Sequence, residues 1–84
     1  MKLAGELVRT RCSTASYDAA INTHDHAAAI RHYVGMVELD SLCLVLDTSQ
    51  VQIEKESWCW CKILIGSRSV WVQDNTLFPV RNES

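Results

Sequence analysis

The chain has 84 residues, 48% hydrophobic and 21% charged, with a formal net charge of −2. That length bounds it to one domain, 1–84, and the apolar share excludes a disordered polyelectrolyte. The slight acidity argues against a nucleic-acid binder, whose basic footprint is absent: the eight Lys and Arg are scattered among ten acids.

The first strand is expected over 6–11, introduced by Gly5, with Leu7, Arg9 and Arg11 on one face and Val8 and Thr10 on the other. The pattern then breaks. Residues 12–34 hold Ser, Thr, Asp, Asn, three His and an alanine run, and read as an insertion containing either a short helix or a loop. Ala27–Tyr33 is its one stretch of good helix formers, with Thr23 or Asp25 as the cap. From Gly35 the chain reads as β. Strands are expected at 36–39, 42–47 and 51–53, with Asp40-Ser41 as a tight turn and 54–57 as a charged connection. The run Trp58-Cys59-Trp60-Cys61-Lys62-Ile63-Leu64-Ile65 carries the strongest strand signal, being aromatic and β-branched. Val70–Gln73 returns the chain, 74–76 is turn chemistry, and Leu77–Val80 closes the domain, with Pro79 tolerable only at an edge or strand start.

Period two assigns faces in the last hairpin. With Ser67-Arg68 as the turn, Ile65 pairs with Val70 and Leu64 with Trp71. One face then carries Cys59, Cys61, Ile63, Ile65, Val70 and Val72, which suits a tight interior. The other carries Trp58, Trp60, Lys62, Leu64, Trp71 and Gln73. Either residues 12–34 fold over that second face as a lid, or part of it is exposed for a partner or another copy. A chain this short buries only about 60–65% of its unfolded surface, so a homo-oligomer would relieve a thin stability margin.

Gly5-Glu6-Leu7-Val8-Arg9, Cys61-Lys62-Ile63-Leu64-Ile65-Gly66, Val70-Trp71-Val72 and Leu77 together resemble the opening and closing patterns of small SH3-like barrel proteins of bacteriophages. The resemblance covers about half the chain and rests on structural positions. It implies a mostly β, SH3-like barrel of five or six strands, with 12–34 a longer insertion than the loop after the first strand usually is. It also implies a viral origin, and says almost nothing of activity.

Three constellations could carry chemistry. His24-Asp25-His26 with His32 could chelate a metal if extended, but on a helix His24 and His26 would point about 200° apart. Such a stretch also reads as a solvated loop. Cys59 and Cys61 share a strand face, yet a structural zinc needs two more ligands from Cys43, Cys12 or a histidine. Free thiols are expected for all four cysteines, and the default is no cofactor. Glu54, Glu56, Asp40, Asp47 and Asp74 all read as turn or strand-end acids, with no paired nucleophile. No catalytic signature is visible, so no enzyme is expected. No apolar run approaches the ~20 residues of a membrane span, and Met1–Glu6 lacks a leader's apolar run, so the expected setting is cytoplasmic. The sequence therefore points to a binding or assembly module acting through protein contact or self-association, with Trp58, Trp60, Lys62, Arg68 and Trp71 as its surface. The alternative is single-stranded nucleic acid stacked on the same residues.

Overall fold

The computed structural model describes residues 2–80. Met1 and residues 81–84, which the expected 1–84 domain includes, lie outside the described residues. The chain runs β1 (Leu7–Thr10), β2 (Thr14–Tyr17), α1 (His26–His32), β3 (Tyr33–Val37), β4 (Leu42–Ile53), β5 (Glu56–Ile65), β6 (Arg68–Gln73), a 3₁₀ turn (Asp74–Thr76) and β7 (Leu77–Pro79). The strands form one antiparallel sheet in the order β3-β2-β6-β5-β4-β1-β7, curled into a half-barrel.

The mostly β class is as expected, but seven strands replace the anticipated five or six. The strand that no pattern announced is β2, wholly within the insertion, and β3 starts inside it, so the insertion is neither simple loop nor lone helix: it runs strand, helix, strand. β2 pairs with β3, and Tyr17 pairs with Trp71 to attach the insertion to the edge of β6. The helix begins one residue earlier than expected. Asp25 is its cap, with Oδ1 accepting from the Ala28 N–H at 3.1 Å. The strand expected at 36–39 instead spans Tyr33–Val37.

Strands expected separately at 42–47 and 51–53 are one element, β4, because β5 pairs along its whole length across a bulge between Val45 and Asp47. The connection expected over 54–57 shrinks to Glu54-Lys55, with Glu54 at a left-handed φ of 55°. In the last hairpin the turn falls at Gly66-Ser67 rather than Ser67-Arg68. Gly66 has a φ of 60°, and the pairs are Ile63↔Val70 and Lys62↔Trp71. The register differs from expectation by two residues, so every side chain keeps its expected face.

The inner face of the curl buries Val8, Val37, Cys43, Val45, Cys61, Ile63, Val70, Val72 and Leu77, with Ile65 packed against them. In β1 it is Val8 and Thr10 that turn inward. Trp60 and Ile21 are also buried but lie outside this cluster.

Candidate binding surface

The tryptophan face is divided by the insertion. Trp60 is 0% exposed and stands edge-on to Tyr17, with ring centroids 5.6 Å apart and planes 85° apart. Its indole Nε1 is the single buried side-chain nitrogen or oxygen without a hydrogen-bond partner among the described residues. Trp60 therefore belongs to packing, and its expected place in a binding surface is corrected: β2 brings Tyr17 over it. Trp71 is half-buried beside Tyr17, Lys62 is half-buried opposite Trp71, and Arg68 is exposed at the start of β6.

Trp58 has a different setting. β6 ends at Gln73, which pairs with Trp60, so beyond that point β5 is paired with β4 alone. Trp58 lies on this two-stranded arm, half-buried, with the His24 ring tilted against it at 5.2 Å. Two cavities flank it. One, of about 780 Å³, is lined by Asn22, His24, Glu54, Lys55, Glu56 and Trp58. The other, of about 240 Å³, is lined by Ser57, Trp58, Cys59, Gln73, Asp74 and Asn75. The insertion supplies one wall and the 3₁₀ turn the other, leaving the indole as the ridge between them.

The histidines do not come together. His24 lies on Trp58, His26 opens α1 in solvent, and His32 Nδ1 meets Asp18 Oδ1 at 2.6 Å. Among the described residues no three His, Cys, Asp or Glu side chains converge as a metal site would need. All four cysteines are free thiols. Burial pushes the Cys43 thiol up from its ordinary value. Burial, then the hydrogen bond and negative charge of Asp74, push the Cys61 thiol up to about 12. A thiol so shifted stays protonated at neutral pH and is a poor nucleophile.

Asp74, expected only as a turn residue, ties the N-terminal segment down. Its Oδ1 accepts from the Lys2 N–H at 2.9 Å and from the Cys61 thiol at 3.3 Å, and Lys2 Nζ lies 3.7 Å from Oδ2. Partial burial favours the neutral acid, but the Lys2 amide, the Cys61 thiol and the Lys2 ammonium outweigh it and hold the carboxyl below its ordinary value. Lys2 and Asp74 are 72 apart in sequence, and no local pattern announces their contact.

Sequence reasoning also passed over the leucine end of the outer face. Leu7, Leu44 and Leu64 pair across β1, β4 and β5, and Phe78, Arg9 and Leu42 pair across β7, β1 and β4. The signal was there in 42–46, where Leu42, Leu44 and Leu46 alternate with Cys43 and Val45, so both faces are apolar. No helix among the described residues is long and apolar enough to cross a membrane. No protein-family model, curated protein or solved structure matches the chain, so the geometry of the Trp58 ridge and the leucine face stands by itself.

Proposed function

We propose that the chain is a non-enzymatic, SH3-like binding module that works by protein contact, taking a basic peptide segment over Trp58. The observation that carries this is the half-buried indole between two cavities, one rimmed by Glu54 and Glu56 with Lys55 between them, the other by Ser57, Gln73 and Asn75 beside the Lys2-paired Asp74. An amphipathic ring flanked by grooves and carboxylates suits a chain that offers apolar and cationic side chains. The SH3-like reading is supported by the five strands that lie wholly outside the insertion, β1, β4, β5, β6 and β7, which equal the smaller count the resemblance implies. The phage resemblance over 5–9 and 61–77 adds a reading as a viral accessory protein in the host cytoplasm.

The same carboxylates weigh against nucleic acid, because phosphates passing over Trp58 would meet Glu54 and Glu56, while Arg68 lies several residues away along the hairpin. Peptide-display selection on the immobilised chain tests the reading. Selected peptides should carry Lys or Arg and bind the Trp58→Ala variant about tenfold or more weakly, as expected when a central aromatic anchor is truncated. An empty selection, equal binding by Trp58→Ala, or quenching of tryptophan fluorescence by a thymidine oligonucleotide at low salt would overturn it.

A further inference from the structure

Residues 18–32, the part of the insertion between β2 and β3, are closed on themselves. The Asp18 N–H donates to the His32 carbonyl at 2.9 Å, and His32 Nδ1 lies 2.6 Å from Asp18 Oδ1, so the two ends are tied to each other. Just below this tie Tyr17 pairs with Tyr33, the last step of the β2–β3 ladder. The Tyr33 N–H closes the final turn of α1 on the Ala29 carbonyl. Every other hydrogen bond of 19–31 among the described residues is internal: Asp25 donates to the Asn22 carbonyl, His24 to Asn22 Oδ1, and Asp25 caps α1. Among the described residues no ion pair leaves the segment either. Its hold on the sheet is therefore apolar. Ile21 is its one buried residue, at 7% exposure, and α1 buries none.

The course of the segment over the sheet is marked at two points. Tyr17, just before it, stands on Trp60 at 5.6 Å, and His24 lies on Trp58 at 5.2 Å. Trp60 and Trp58 are alternate residues on one face of β5, so residues 18–23 pass along that face from one indole to the other. Ile21 is the anchor midway.

We propose that 18–32 is a lid that swings about the Asp18–His32 tie, and that in its closed seat His24 shuts the Trp58 indole face to a basic peptide. The gating half rests on the Trp58 reading, whereas the swing does not. A compact loop whose ends meet is an Ω-loop. Lifting this one as a body breaks no ladder pair and leaves its internal hydrogen bonds intact. The losses are the burial of Ile21 and the His24–Trp58 stack, which puts the opening at the low end of the free energies at which a fold opens locally. α1 stiffens the lid without fastening it to the sheet. While the imidazole lies on the indole, no partner side chain takes that face, so peptide affinity is scaled by the fraction of open lid.

The test labels the full chain with 5-fluorotryptophan and follows the Trp58 fluorine resonance, assigned by its loss in Trp58→Phe. His24→Ala marks where that resonance falls when no imidazole covers the ring. In Ile21→Ala, which removes the anchor, it should move most of the way from the wild-type position to that mark, while the Val45 and Ile63 amides stay protected from exchange. Ile21→Val, a milder change, should move it part of the way. Display-selected peptides should bind Ile21→Ala about tenfold more tightly than wild type, as a larger open fraction requires. A resonance unmoved in both Ile21 variants would overturn the lid, as would loss of protection at Val45 and Ile63 in both. A moved resonance with equal or weaker peptide binding would overturn the gate and leave the Trp58 reading standing. An empty selection would remove that reading and the gate with it, and the swing would be judged by the resonance alone.

Discussion

Thr10 is fully buried, and it shows how one hydroxyl can hold a turn made by a distant part of the chain. Its Oγ1 donates to the Glu38 carbonyl at 2.6 Å and accepts from the Ser41 N–H at 2.8 Å. Its own amide and carbonyl bond Ser41 and Asp40. The turn at 38–41 places Asp40 at a left-handed φ of 63° and is held to β1 by these contacts. Thr10→Val keeps the shape but strands the Ser41 N–H, so it should cost about 2 kcal/mol, the usual penalty for a buried donor left unpaired. Urea denaturation checks this. A midpoint equal to wild type would show that the turn is held by the backbone bonds alone, and Thr10→Ser should lose much less.

At the scale of elements, the β4–β5 hairpin divides into two unequal parts. Its base is flanked by β1 on one side and β6 on the other, while the arm carrying Trp58 pairs only with itself. Backbone hydrogen bonds with fewer packed neighbours open at lower free energy. Amides of 51–58 should therefore exchange through local opening well before those of Val45 and Ile63, which should exchange only on global unfolding. Uniform protection along the hairpin would refute this. β5 and β6 were legible in the sequence because their alternation is strict and their residues are aromatic or β-branched. β2 was not: Ala15 and Ser16 interrupt the strand preference of Thr14 and Tyr17 and no apolar alternation marks the segment, which is extended because β3 pairs with it and Tyr17 meets Trp71. The polar stretch 48–50 was missed for the same reason, being a strand only because Cys59, Trp60 and Cys61 lie opposite. Of the candidate site, Trp58 could be named from sequence. Its flanking cavities could not, because their walls come from the insertion and the 3₁₀ turn.

For the whole molecule, two ionisable groups, the partly buried Asp74 and the buried Cys61, bracket the pH range of greatest stability. The folded carboxyl of Asp74 titrates below its ordinary 3.8, so its contribution is present above that value and lost as pH falls through the folded pKa. Cys61 is shifted from 9.0 to about 12, so between those values the folded chain binds more protons than the unfolded one. Stability should accordingly fall as pH rises from about 9 towards 12, and Cys43 acts in the same direction. Urea midpoints measured against pH should show a plateau with an acid limb and an alkaline limb. Asp74→Asn should flatten the first and Cys61→Ser the second. An alkaline limb unchanged in Cys61→Ser would remove the thiol from the account.

The hairpin of β5 and β6 turns at Gly66, whose left-handed backbone is easily adopted only without a Cβ. Slipping the pairing by two residues gives a second seating, its tip one residue on at Ser67-Arg68, in which the Cys, Ile and Val side chains still point inward and the tryptophans still point out. Side-chain burial barely separates the two. Three features separate them: one glycine torsion, the contacts of Asp74 with Cys61 and Lys2, and the meeting of Tyr17 with Trp71, which a slipped β6 would carry past its partner. The insertion thus acts as a ratchet pawl: by engaging β6 at one residue, it helps select a single register out of two that the alternation of side chains alone would tolerate.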